Sequence, residues 1–216
     1  MECGIDEAGR GPVIGPLVIA GVLVTEEQKQ RLKNINVRDS KQVPKAQLHR
    51  YAEQIKDIVE KYHIIIIQPE EIDAALNDPN LNLNWLEALK AVEIINVLKP
   101  NRAVIDSPSN NLNAFKEFIV SHLKHKPKEV LCEHKADENH VSASAASILA
   151  KTTREDEVLK IKKELNLDFG SGYPSDPKTK AFVEKCHDKF PHIFRKTWQT
   201  YKNILKKEKQ KGLSEY

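Results

Sequence analysis

From Tyr62 onward, short strand-like runs alternate with longer stretches that look helical, and this alternation limits the fold more than any other feature of the chain. The runs 62–67, 102–106 and 128–133 read as strands, and 69–77, 84–98, 111–123 and 141–165 as helices. The first of these strands, Tyr62-His63-Ile64-Ile65-Ile66-Ile67, is apolar on both faces and is expected to be buried. Ahead of it, 2–6 and 17–24 are short and bounded by Gly and Pro, which predicts an antiparallel pair joined through the Gly9-Arg10-Gly11-Pro12 turn. A helix is predicted from Pro44, with Leu48, Tyr51, Ile55, Ile58 and Val59 on its apolar face. The order implies an α/β fold: a five-stranded mixed sheet with helices on both faces. Beyond about residue 166 no strand is predicted. The turn-rich segment at 170–177 and helices over 177–189 and 194–208 read as a C-terminal helical extension. The expected division is therefore a core at 1–166 and an extension at 167–216 with a basic tail.

At 216 residues and 40% hydrophobic, the chain is long enough for one well-buried domain. Its 34 Lys+Arg against 31 Asp+Glu permit a polyanionic partner. The basic residues concentrate beyond residue 150, above all in Lys202–Lys211, a run that suits a phosphate backbone and equally suits a solvated helix end. Cys3, Cys132 and Cys186 have no paired spacing, so neither a disulfide framework nor a zinc knuckle is indicated, which suits a reducing interior. With no charged-then-apolar leader and no apolar run of membrane length, the expectation is a soluble, cytoplasmic protein.

Two adjacent carboxylates, Asp6 and Glu7, close the first strand directly before a glycine-rich turn. Side by side they raise one another's pKa unless a cation neutralises them, and a divalent metal is the usual solution. The same residues also describe a charged strand end followed by a tight turn, so the rest of the chain must decide. Asp106 ends the strand Ala103-Val104-Ile105 before Ser107-Pro108, at the carboxyl edge where sites form in parallel sheets, and Asp6 takes the equivalent place on a parallel neighbour. Successive strand residues point to opposite faces, so Glu7 joins Asp6 only if the strand ends or kinks between them. Asp137, in the loop Glu133-His134-Lys135-Ala136-Asp137, can supply a fourth carboxylate. Such oxygens suit Mg²⁺ or Mn²⁺ rather than zinc. In two-metal phosphoryl chemistry one ion activates water and the other stabilises the leaving oxygen, the ions standing roughly 3.5–4 Å apart.

In sequence the motifs at 4–12 (Gly-Ile-Asp-Glu-Ala-Gly-Arg-Gly-Pro), Asp39-Ser40-Lys41, Ile105-Asp106-Ser107-Pro108, His134-Lys135-Ala136-Asp137, Ser144–Lys151 and Gly170-Ser171-Gly172-Tyr173-Pro174-Ser175-Asp176 span most of the chain. Together they resemble the type 2 ribonucleases H (ribonuclease HII), most closely the archaeal branch. The resemblance implies a ribonuclease H-like core and a metal-binding catalytic quartet of Asp6, Glu7, Asp106 and Asp137. It implies that Gly9, Arg10 and Gly11 contact the 2′-hydroxyl and phosphates at a ribonucleotide, and that Tyr173 stacks on the next sugar. A 2′-hydroxyl is the group that distinguishes RNA from DNA, and freed backbone amides can bind it. Lys41 is a candidate phosphate contact. His140 and Thr197 depart from the family, where proline and serine are common.

The implied activity is hydrolysis of the RNA strand of RNA–DNA hybrids and nicking of DNA on the 5′ side of embedded ribonucleotides, leaving 3′-hydroxyl and 5′-phosphate ends. It would use Mg²⁺ or Mn²⁺, two ions in the catalytic complex, in a monomeric protein. The C-terminal Gln210-Lys211-Gly212-Leu213-Ser214-Glu215-Tyr216 resembles a short sliding-clamp-binding peptide, with one aliphatic and one aromatic anchor. The alternatives are another two-metal nuclease on the same fold and a non-catalytic nucleic-acid or clamp-binding module.

Overall fold

The computed structural model of the chain describes residues 1–37 and 45–214, with only the backbone course given for 45, 46, 207–209 and 211–214. Strands β1 (Glu2–Ala8), β2 (Leu17–Val24), β3 (Lys61–Ile67), β4 (Arg102–Asp106) and β5 (Glu129–Glu133) form one sheet in the order β3-β2-β1-β4-β5. β1 is antiparallel to β2 and parallel to β4, and β4 is parallel to β5. This is the mixed five-stranded sheet that the sequence predicts. The helices are α1 (Glu26–Asn34), α2 (Lys45–Ile58), α3 (Pro69–Asn77), α4 (Leu83–Leu98), α5 (Leu112–His122), α6 (Ala136–Asn139), α7 (Val141–Leu165), α8 (Pro177–Cys186) and α9 (Gln199–Ser214).

Packing groups the described chain into two compact units. The first takes in Met1–Ala8, Val18–Ile66 and Leu83–Arg154; the second takes in Gly9–Leu17, Ile67–Asn82 and the chain from Glu155. In the first unit the alternation along the strands assigns opposite faces to successive residues. Val18, Ala20 and Val22 of β2 are buried with Ile55 of α2 and Ala145 and Leu149 of α7. On the other face, a Cβ at Gly21 would stand 2.3 Å from Ile94 of α4. A Cβ at Gly4 would lie 2.1 Å from the carbonyl carbon of Ser142, so only glycine lets the backbone of α7 cross β1 this closely. In the second unit Val13 and Ile14 are buried with Phe169, Val183, Phe194 and Tyr201, and Ile14 bridges Phe194.

Besides α6, a short helix where a loop is expected, three elements differ from the sequence reading. β3 is the edge strand, and its residues are mostly half-exposed rather than buried, because an edge position leaves a both-sided apolar run only partly covered. α1 was not predicted, although Thr25 and Gln28 form a capping box at its start with Glu26 and Glu27 in the first turn. α9 begins at Gln199 rather than 194, since the Arg195 N–H bonds to the Val13 carbonyl at 2.9 Å and Ile14 pairs with Phe194, which holds that stretch out of a helix.

Candidate active site

Gly4 and Val104 are partners across β1 and β4, so period-two alternation sends Asp6 and Asp106 to the face covered by α7. The Asp6 and Asp106 carboxyls face one another closely enough that each alters the other's ionisation. Burial above all, then the charges of Glu7 and Asp106, hold Asp6 well above the usual carboxylate range. The buried Ser147 hydroxyl lies alongside and offsets part of this shift without closing a hydrogen bond of normal geometry. Asp106 is also raised, by burial first and by the charge of Asp137, against the N–H groups of Ala136 and Lys135 that favour its ionised form. The Ala136 N–H donates to Asp106 Oδ1 at 3.1 Å. Lys135 sits at φ 59°, in the left-handed region, directly before the Ala136 amide that this local turn brings to Asp106.

Asp137 is buried in the first turn of the short helix α6, not carried on an open loop as expected. Glu7 shows a larger difference. β1 neither ends nor kinks between Asp6 and Glu7: they pair with Ala20 and Ile19 of β2, and their side chains leave opposite faces. Among the described residues no group of three or more His, Cys, Asp or Glu side chains is arranged to hold a metal ion as it stands. The structure sets Asp6 and Asp106 on the same face of neighbouring strands so that each acts on the other, with the charge of Glu7 also acting on the first and that of Asp137 on the second. These donors are all carboxylate oxygens, and the charged forms of the central pair are disfavoured. Such a set fits a hard divalent cation, which favours the ionised carboxylates.

The predicted substrate residues Gly9, Arg10, Gly11 and Tyr173 all lie in the second unit. A Cβ at Gly11 would be 3.4 Å from the Tyr173 ring, and the Gly172 carbonyl accepts from Val13 N–H at 2.9 Å, so the two loops are docked edge to edge. Tyr173 is 38% exposed, leaving part of its ring open to stack on a ligand. Lys41 lies outside the described residues. The sequence reading missed the groups behind the glycine turn. The Arg195 guanidinium, fully buried, donates to the carbonyls of Gly9 (Nη2, 2.7 Å), Arg10 (Nη1, 3.0 Å) and Gly15 (Nε, 3.0 Å). Trp198 Nε1 donates to the Gly11 carbonyl at 3.1 Å. Apart from the family likeness of Arg195-Lys196-Thr197-Trp198, their sequence signal was an Arg and a Trp in a polar stretch, which a surface segment also provides.

The family model described as ribonuclease HII matches residues 3–201. The chain belongs to the ribonuclease HII family. A ribonuclease HII of Pyrococcus furiosus is 45% identical over 213 residues, 96% of this chain and 92% of that protein. The crystal structure of ribonuclease H2 from Pyrococcus horikoshii OT3 superposes with a TM-score of 0.88 at 40% identity, covering 95% of this chain and 97% of that one. The ribonuclease HII in a complex with PCNA from Archaeoglobus fulgidus superposes with a TM-score of 0.84 at 35% identity, covering 92% and 95%. As a ribonuclease HII the chain is a divalent-metal-dependent hydrolase, an endonuclease acting on RNA–DNA hybrids. Membership in an enzyme family sets aside the non-catalytic module. Among the described residues no helix is long and apolar enough to cross a membrane.

Proposed function

We propose that this ribonuclease HII cuts the RNA strand of hybrids internally and nicks duplex DNA on the 5′ side of a single embedded ribonucleotide, leaving 3′-hydroxyl and 5′-phosphate ends. The Asp6–Asp106 pair carries the proposal, because a buried and a half-buried acid facing one another from neighbouring parallel strands form a cation-seeking centre. Asp6 and Asp106 would hold the Mg²⁺ or Mn²⁺ ions together with Asp137 and with Glu7, whose charge already acts on Asp6 and whose side chain would have to turn to the Asp6 face as the ions bind. Bound there, the ions would activate the attacking water and stabilise the leaving oxygen. The amides of the Gly9-Arg10-Gly11 turn receive the 2′-hydroxyl and neighbouring phosphate, Tyr173 packs on the following deoxyribose, and Lys41 contacts a phosphate.

End-group analysis of the products tests the chemistry. Attack by water gives a 5′-phosphate and a free 3′-hydroxyl that polymerase extends; a 2′,3′-cyclic phosphate would mean attack by the 2′-hydroxyl and would overturn the mechanism.

The protein is proposed to act as a monomer, with a sliding clamp as partner through residues 210–216, supported by the Archaeoglobus fulgidus relative solved with PCNA. Deleting 210–216 should abolish clamp binding and leave hybrid cleavage intact; unchanged clamp affinity would reject this docking site.

A further inference from the structure

Four backbone carbonyls of the glycine turn and the segment after it are held from behind by two side chains. Arg195 takes those of Gly9, Arg10 and Gly15, and Trp198 takes that of Gly11. A peptide unit is planar and trans, so its C=O and the N–H of the next residue point in opposite directions. Fixing the carbonyls of Gly9 and Arg10 toward Arg195 therefore fixes the N–H groups of Arg10 and Gly11 on the side away from it. Pro12 and Pro16, following Gly11 and Gly15, have no N–H to aim.

The turn that carries both braces has its own anchor. Asp73 on α3 is buried, and its carboxylate accepts from Lys196 N–H (2.7 Å), Thr197 N–H (2.9 Å) and Thr197 Oγ (2.6 Å). Trp198 lies under the guanidinium, 4.8 Å from ring centroid to Arg195 Cζ. Asp73, Arg195, Thr197, Trp198 and the glycine turn belong to the same compact unit.

We infer that Asp73 and the Arg195–Trp198 turn it anchors form a positioning brace that aims the Arg10 and Gly11 amides at a ribose 2′-hydroxyl, so that ribonucleotide discrimination depends on three residues that need not touch the nucleic acid. The inference rests on the reading of Gly9-Arg10-Gly11 as the 2′-hydroxyl contact. Lysine cannot replace Arg195, because one ammonium lacks the planar fork that spans several carbonyls.

The test is steady-state cleavage of a DNA duplex containing one ribonucleotide, in Mg²⁺, with the all-DNA duplex of the same sequence as competitor. Wild type should show a KM well below the competitor's Ki. In Trp198→Phe, which keeps an aromatic ring in place and removes the N–H together with part of the indole, and in Asp73→Asn and Arg195→Lys, KM should rise about tenfold toward an unchanged Ki, the scale of one lost hydrogen bond. A merely structural role lowers the active fraction, so kcat would fall with KM and Ki unmoved, and that result would overturn the brace. KM and Ki rising together would overturn it as well. Equal KM and Ki in wild type would instead overturn the reading of the glycine turn, and the brace with it. If Arg195→Lys fails to fold, Trp198→Phe decides.

Discussion

The backbone N–H of Ala136 donates to Asp106 Oδ1 at 3.1 Å, tying the turn before α6 to the end of β4. Asparagine at 106 keeps an oxygen for this bond and offers an amide to the Asp6 carboxylate. Asp106→Asn should therefore keep its melting temperature within about 3 °C of wild type or raise it. Cleavage should drop on the order of a thousandfold, the scale of removing one preorganised electrostatic group. Thermal unfolding and hybrid cleavage measured together check this, and near-normal cleavage would contradict the site.

Cation binding to the acid pair should appear without any turnover. Mg²⁺ at about a hundred times its Kd adds roughly 2.7 kcal/mol to stability, so the wild-type melting temperature should climb with metal. Asp6→Asn should lose most of that climb. An equal metal response in both proteins would place the cation elsewhere.

At the opposite end of β1, Glu2 is buried and accepts from Lys29 (2.9 Å), Arg102 (2.6 Å) and Ser142 (2.7 Å). Burial alone would raise its pKa, but the hydrogen bonds from Lys29, Ser142 and Arg102 with the Lys29 charge more than offset it, and the net shift is downward from 4.5. A depressed acid contributes stability above its unfolded pKa and loses it as pH falls through the folded one. Glu2→Gln should cost about 2–3 kcal/mol at neutral pH, toward the low side for a broken buried pair because Arg102 stays a third exposed. The difference from wild type should be flat at neutral pH and shrink progressively once pH falls below 4.5, followed by denaturant unfolding across pH. A difference independent of pH would mean that Glu2 contributes packing, not charge.

Gly4→Ala should destabilise strongly, since the new methyl meets the backbone of Ser142 and Ala143 at 2.1–2.2 Å and neither β1 nor α7 can yield cheaply. The expected cost is about 3 kcal/mol or more, a melting decrease on the order of 6–12 °C. An unchanged melting temperature would show that α7 shifts freely over the sheet.

Much of the architecture was legible because it rests on local signals. β1 and β2 flank the Gly-Arg-Gly-Pro turn, β4 and β5 are short runs that follow Pro100 and Pro127, and α7 follows a long helical pattern. Asp106 was legible as the last residue of a parallel strand. What escaped depends on distant partners. The exposure of β3 follows from its edge position, which Tyr62–Ile67 does not encode. Whether β1 breaks after Asp6 depends on its pairing with β2, and the ladder continues through Glu7 to Ala8. The burial of Arg195 follows from carbonyls some 180 residues earlier in the chain, and no spacing rule connects them. By contrast α1 had a readable start in Thr25 and Gln28 that the apolar pattern, thin over 26–34, did not bring out.

Cleavage of a DNA duplex carrying one ribonucleotide, with Mg²⁺ or Mn²⁺, beside the all-DNA duplex and the Asp6→Asn protein, tests the central claim most directly. The account predicts a single nick on the 5′ side of the ribonucleotide, absent from both controls. Cutting of the all-DNA duplex, or undiminished cutting by Asp6→Asn, would contradict it.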